Sequence, residues 1–277
     1  SCSLAPSATS MPKNPTVRVT YSTNVGNNHL RASVRQHVKD VEALKREAGI
    51  AACRYVKNGM KLGLGTGSTV KYTIIELGRL ISEEGLEIIG VPTSEATREL
   101  AESLSIPLMG ISEVDFLDLT IDGADEFDRE FSLIKGGGGA LTREKIVANL
   151  SKSMIVVADE TKKVDILGRF KLPVEIIPEE SNSVMEGISA ICPGEVTIRK
   201  SQLRENGEIG PYVTDNDGYI LDCEFGPTIS NPAKIENMIS NLEGVVEVGL
   251  FVGICDAVFM ASSSGMEIIV NPEGRLS

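Results

Sequence analysis

Residues 135 to 145 read KGGGGALTREK, a lysine and a glutamate separated by four glycines and the opening of a helix. Glycine loses more conformational freedom on folding than any other residue, so four in succession are costly unless bare backbone is needed there. Bare N–H groups in front of a helix suit an anion. Lys135 can neutralise a developing oxyanion, and a carboxylate a turn further on, at Glu144, can remove a proton beside it. The plain alternative is a flexible linker, but linkers rarely sit between a strand-like apolar stretch and good helix-forming sequence. Taken alone, Glu144 reads as a helix-dipole residue flanked by Arg143 and Lys145.

Two further loops carry groups of the same kind. GLGTGST, residues 63 to 69, offers amides and the hydroxyls of Thr66, Ser68 and Thr69. It lacks the third glycine of a dinucleotide fingerprint and the Gly-Lys-Ser/Thr of a Walker loop, so a small phosphate or polyol fits it better than a nucleotide. DGADEFD, residues 122 to 128, packs acids at the end of an apolar strand. Its spacing is not that of a calcium loop, and no His or Cys assists, so sugar hydroxyls are better partners for it than a metal. A solvated acidic turn is the plain reading for Glu126 and Asp128, less so for Asp122. Taken together, the loops surround one small anionic polyol.

The elements that must position these loops follow from periodicity. From Asp40 to Asn58 a helix is expected, with Val41, Leu44, Ala48, Ala52 and Val56 near one face. Strands are expected at MKLGL, IIGVPT, IPLMGI, DLTIDGAD and MIVVAD, and helices at VKYTIIELGRLISEE, SEATRELAESL (capped by Thr93 or Ser94) and ALTREKIVANLS. Strands alternating with long helices imply a mostly parallel sheet, whose ligands bind outside the carboxyl ends of the strands. All three loops follow such strands. Near Leu172 the pattern changes to PVEIIP, EVTIRK and YVTDNDGYILDC, with helices around 181–191 and 232–241 and a hairpin turn at Asn216–Gly218. GVVEVGLFV, DAVFMAS and MEIIV then read as strands that return to the first sheet.

Charge and composition exclude several classes. Residues 1–39 carry five basic and no acidic side chains, so the net charge of −12 leaves −17 on the remainder. An acidic body without a basic stripe does not suit nucleic acid. No apolar stretch approaches the roughly 18 to 20 residues that span a membrane. The five cysteines are scattered without a CxxC pair, which suggests neither a zinc site nor a disulfide framework. Both histidines, His29 and His37, fall in the first 39 residues, so proton transfer in the body is expected from Asp, Glu, Lys, Tyr or Cys. Those 39 residues have the composition of a disordered tail or a transit-peptide remnant.

GLGTGST, DGADEFD, KGGGGALTREK and ADETKKVDILG, in this order and spacing, closely resemble the type A ribose-5-phosphate isomerase family. PVEIIP, YVTDNDGYILD and GVVEVGLF extend the likeness over roughly residues 42 to 270. The family's run has three glycines before Ala or another small residue, so Gly139 is a mild departure that keeps Lys135 and Glu144 in register. The resemblance implies interconversion of D-ribose 5-phosphate and D-ribulose 5-phosphate through an enediolate, without metal or organic cofactor. The setting would be the pentose phosphate pathway, and the Calvin cycle if the protein is plastidic.

By motif position, Glu144 matches the family's proton acceptor. Thr66, Gly67, Ser68, Thr69, Asp122, Gly123, Ala124, Asp125, Lys135, Gly136, Gly137, Gly138 and Lys162 match its substrate-binding segments. Lys135 and the glycine amides suit the oxyanion, Asp122 suits ring opening or a hydroxyl proton, and Lys162 with the GTGST amides suits the phosphate. The implied fold is α/β, a Rossmann-like, mostly parallel sheet domain at 40–171 and 247–277. A smaller ferredoxin-like α+β domain is implied at 172–246. A homodimer or homotetramer in the cytoplasm or plastid stroma is expected, acting on a small molecule. A sugar-phosphate deaminase or coenzyme A transferase of related fold and a non-catalytic sugar-phosphate sensor are the competing classes. The first would be expected to use a histidine that the body lacks, the second would act on coenzyme A thioesters, and a sensor has no need of Glu144.

Overall fold

The computed structural model describes residues 41–201 and 209–276. The expectations for residues 1–39, a tail or transit peptide, lie outside them. In chain order the structure builds α1 (Val41–Ala52), β1 (Lys61–Leu64), α2 (Val70–Glu84), β2 (Ile89–Pro92), α3 (Glu95–Ser103) and β3 (Leu119–Gly123). A hairpin of β4 (Glu126–Phe127) and β5 (Leu133–Ile134) follows, then α4 (Leu141–Leu150) and β6 (Met154–Asp159). Next come β7 (Leu172–Ile176), α5 (Ser181–Ser189), β8 (Val196–Ile198), β9 (Tyr219–Cys223), α6 (Pro232–Ser240) and β10 (Val245–Val248). The last strands are β11 (Leu250–Phe251), β12 (Ala257–Ser262) and β13 (Gly265–Val270).

Six strands form one Rossmann-like sheet in the order β13-β12-β6-β3-β1-β2, parallel except for the β12–β13 pair. From β1 the chain winds through α2 to β2, then returns to place β3 on the other side of β1. The winding reverses between β1 and β3, so their following loops diverge and open a crevice at the carboxyl ends. All six residues of β6 are buried, as a central parallel strand requires. Ile155 and Val157 pack with Leu44, Ala48 and Leu77 of α1 and α2 on one face. Met154, Val156 and Ala158 pack with Phe127, Leu133 and Phe251 on the other. Helix α2 buries Val70, Thr73, Ile74, Leu77 and Gly78, a single stripe of the 3.6-residue period.

The second sheet is antiparallel, in the order β10-β7-β9-β8, and with α5 and α6 it has the ferredoxin-like βαββαβ arrangement. Its own core gathers Val174, Ile176, Val184, Ile188, Leu221, Cys223 and Ile239. A third, three-stranded sheet, β11-β5-β4, joins the two. Among the described residues no helix is long and apolar enough to cross a membrane.

Three expectations change. Helix α1 stops at Ala52 and tightens into a 3-10 turn, Cys53–Tyr55, after which Val56 is extended rather than helical. IPLMGI forms no strand. Leu108 makes one isolated bridge to Gly90, and Pro107 has no N–H to extend the ladder. GVVEVGLFV does not return to the main sheet, because β10 pairs with β7 and β11 with β5, whereas β12 and β13 do return. Gly249 makes the change of sheet possible. Its N–H donates to Pro173 O, its carbonyl accepts from Lys135 N, and a Cβ there would stand 2.4 Å from Lys135 O.

Candidate active site

At the β1–β3 crevice a cavity of about 220 Å³ is lined by Thr66, Gly67, Ser68, Thr69, Gly123, Ala124, Asp125, Lys135, Gly136, Gly138, Glu144 and Lys162. All four sequence motifs therefore meet in one place. Size does not select this cavity. One of about 370 Å³ lies at the amino ends of β1, β3 and β6, beside Met60, Leu119 and Ser153, away from the glycine loops.

Topology brings the pieces together. The β4–β5 hairpin, which the sequence pattern did not reveal, carries the chain out from Asp125 and back, with Asp125 N donating to Ile134 O. Lys135 thus returns beside the end of β3, where its ammonium donates to Gly123 O at 2.6 Å. Six residues later α4 begins, at Leu141, and turns Glu144 into the same space. The helix is anchored to the second sheet. Thr142 donates to the fully buried Glu175, and the buried Lys145 donates to Glu236, Glu247 and Val248 O, each at 2.7 Å. Asp159 caps the turn after β6 by accepting from Thr161 N, and that turn presents the half-buried Lys162. Lys162 has no ion-pair partner among the described residues.

The centre of the site is an ammonium between two carboxylates. Lys135 Nζ lies 3.0 Å from Asp122 Oδ2 and 3.3 Å from Glu144 Oε2, with all three side chains buried. Both oxygens are at ion-pair distance yet off the hydrogen-bonding direction, so neither has a hydrogen-bond partner. Burial, then the nearby Asp122 carboxylate, push Glu144 up to about 8 against the pull of Lys135. Burial likewise raises Asp122, opposed by Lys135 and by the amides of Gly123 and Thr66. Burial alone would lower the Lys135 ammonium, but the two carboxylates outweigh it and hold it protonated. A proton can therefore be held or released by Glu144 near neutral pH while a fixed cation stands beside it.

The acids of DGADEFD diverge. Asp122 is fully buried and lies behind the cavity wall, with Oδ1 accepting from Thr66 N and Gly123 N. Asp125 lines the cavity and accepts from Gly137 N at 2.7 Å. Glu126, for which a solvated turn was the plain expectation, is 3% exposed and accepts from the amides of Gly168 and Phe170. It ties the hairpin to the start of the second sheet. Asp128 closes its own turn on Glu130 N and Ser132 N. Among the described residues no group of three or more His, Cys, Asp or Glu side chains is placed to hold a metal ion.

The two amide-rich loops are more committed than their sequences suggest. In the glycine run, Gly137 N is taken by Asp125 and Gly139 N by Gly136 O. Gly136 and Gly139 need their glycines for φ values of +107° and +84°. Gly137, exposed and bonded to Asp125, does not line the cavity. In GLGTGST the Thr66 hydroxyl turns inward to Thr93, Ser94 and Thr97, which leaves the Ser68 and Thr69 side for a ligand. Two residues beside the second sheet reach the glycine run unforeseen, Arg199 and Tyr212, from more than 60 residues away. Nothing local to their strand-like sequences signals it.

Similarity to known proteins agrees with this geometry. A family model described as ribose 5-phosphate isomerase A (phosphoriboisomerase A) matches residues 89–265. A ribose-5-phosphate isomerase A of Rhodopseudomonas palustris (strain HaA2) is 47% identical over 82% of this chain and 97% of its own length. One of Streptococcus equi subsp. zooepidemicus is 44% identical over 83% and 97%. The solved ribose 5-phosphate isomerase A of Methanocaldococcus jannaschii superposes with a TM-score of 0.78 at 39% identity, covering 83% of this chain and all of that one. A D-ribose-5-phosphate isomerase solved in complex with phospho-erythronic acid gives 0.79 at 36%, over 83% and 99%. On the family match, the identity and the shared fold, this chain belongs to the ribose 5-phosphate isomerase A family.

Proposed function

We infer that the protein interconverts D-ribose 5-phosphate and D-ribulose 5-phosphate, with Glu144 as the base that moves the proton between C2 and C1. The observation that carries this is the buried Glu144 carboxyl at the cavity wall, with Oε2 unpartnered and the Lys135 ammonium 3.3 Å away. Glu144 takes the C2 proton of the open-chain aldose and the electrons move onto the C1 carbonyl oxygen to give an enediolate; the C2 hydroxyl proton passes to that oxygen and Glu144 returns its proton to C1, which leaves the carbonyl at C2. The Lys135 ammonium and the Gly138 amide stabilise the oxyanion. Asp125, which reaches the cavity, meets the sugar hydroxyls and assists ring opening. Asp122 acts from behind, by holding Lys135 and raising Glu144.

The phosphate is taken by Lys162 with the Ser68 and Thr69 side of the first loop. A relative was solved with phospho-erythronic acid. Such a compound has a carboxylate at one end and a phosphate at the other, and the two cationic poles of this cavity, Lys135 and Lys162, suit both. A coupled assay of ribose 5-phosphate conversion tests the reading, and absence of turnover in the intact protein would refute it.

We further propose domains at 40–171 with 247–277 and at 172–246, a homodimer or homotetramer, and residence in the cytoplasm or plastid stroma. Sedimentation equilibrium and an organelle-import assay of the full precursor decide the last two.

A further inference from the structure

The glycine run has no side chains to hold it, so something outside it must fix its peptide planes. Arg199, just after β8, donates through Nη1 to Gly136 O at 2.8 Å and to Gly137 O at 3.1 Å. Tyr212 donates to Gly138 O at 3.3 Å. Three successive carbonyls of the run thus accept from side chains beside the second sheet. Arg199 is itself fixed by a two-pronged pair with Asp222 on β9, Nε to Oδ2 at 2.9 Å and Nη2 to Oδ1 at 2.5 Å. A planar guanidinium so held offers its third nitrogen in one direction only.

In a trans peptide the N–H points opposite to the C=O of the same unit. Gly137 O faces Arg199, so Gly138 N–H faces away from it. Gly137 N and Gly139 N are occupied within the protein, whereas Gly138 N has no acceptor among the described residues and Gly138 lines the cavity. We propose that Arg199, braced by Asp222, is a positioning residue that aims the Gly138 amide at the oxyanion of the reacting sugar. This deepens the isomerase reading and rests on it. Arg199 touches no substrate. Its effect is preorganisation: without it the run samples other conformations, and the lost alignment is felt where charge develops on the sugar oxygen. A hydrogen-bonded carbonyl also makes its partnered N–H the stronger donor.

The test uses Arg199→Met, which keeps the apolar stem, with Arg199→Lys and Asp222→Asn beside it. Arg199→Met is expected to lower kcat by about 10- to 100-fold, less than outright loss of an oxyanion donor, and to leave KM within about threefold. By calorimetry, phospho-erythronic acid weakens by a factor similar to the loss in kcat, while inorganic phosphate, seated by Lys162, binds as before. Arg199→Lys restores part of both, because one ammonium reaches one carbonyl. Asp222→Asn gives a smaller loss of the same pattern. A kcat within twofold of wild type overturns the proposal. So does a parallel weakening of phospho-erythronic acid and phosphate with a collapsed melting temperature, which is the mark of a merely structural tie. If Arg199→Met does not fold, the ratio of the two affinities in Arg199→Lys and Asp222→Asn decides in the same way. If the wild type does not isomerise ribose 5-phosphate, the site reading fails separately, and the affinity ratio, which needs no turnover, still judges Arg199.

Discussion

Lys135 Nζ stands 3.3 Å from Glu144 Oε2 with both side chains buried, and the contact is an ion pair without hydrogen-bond alignment. The oxygen is thus close to a cation yet free to accept a proton from a third party.

Glu144→Gln keeps the shape and removes the proton acceptor. Turnover should fall by at least roughly 10²- to 10⁴-fold while the fold persists. In heavy water the wild type should introduce deuterium at the carbon that receives the proton, and the variant should not. A role confined to the helix dipole would instead cost at most about 1 kcal/mol of stability and leave turnover intact. Steady-state kinetics with circular dichroism on the same sample separates the two.

The same substitution has a thermodynamic sign. Glu144 is raised from an ordinary 4.5 to about 8 in the folded protein. Its contribution to stability is therefore fully present below about pH 4.5 and lost as pH rises through about 8. Glutamine has nothing to ionise. Glu144→Gln should melt close to wild type at pH 5 and above it at pH 9, and a melting difference independent of pH would contradict the raised value.

Activity carries the matching signature. The base form of Glu144 grows as pH rises toward about 8, so kcat/KM should climb over that range. The apparent value belongs to the cluster of Asp122, Lys135 and Glu144 rather than to one group. Asp122 raises Glu144, so Asp122→Asn should move the climb to lower pH. A pH–rate profile with an unmoved limb would show that Asp122 does not feel Glu144.

Lys162→Ala should raise KM with a smaller effect on kcat. One charge-assisted contact to phosphate is worth about 1.5 to 3 kcal/mol, and that contact is shared by ground and transition states. An unchanged KM would place the phosphate away from the turn that Asp159 caps.

How much of this was legible follows from where each signal sits. Helix α2, VKYTIIELGRLISEE, announced itself to the residue because its buried stripe is local. The motif loops were legible because strand, loop and helix follow one another along the chain. The β4–β5 hairpin was not, since each strand has two residues and the third strand of its sheet, β11, which pairs with β5, comes from beyond residue 249. Nor was the burial of Glu126, which depends on amides at Gly168 and Phe170. Periodicity reads what neighbours in sequence do, and Arg199 on the glycine run is a contact across sheets.

The four glycines do not share one reason, and substitution should tell them apart. A Cβ on Gly137 would stand 2.5 Å from Asp125 Oδ1, so Asp125 must swing away and release Gly137 N. Gly137→Ala should therefore cost about 1 to 3 kcal/mol in the way overpacking does. Gly138 has no left-handed φ, and a Cβ there would meet only Thr66 Cγ2 at 3.7 Å. Gly138→Ala should hold its melting temperature or gain slightly, because alanine restricts the unfolded chain. Its methyl, however, enters the cavity that Gly138 lines, so KM should rise while the amide remains. Thermal melts and KM values for the two variants form one experiment. Equal melting temperatures would mean that Asp125 yields without cost, and an unchanged KM for Gly138→Ala would mean that the sugar phosphate does not approach this stretch of backbone at all.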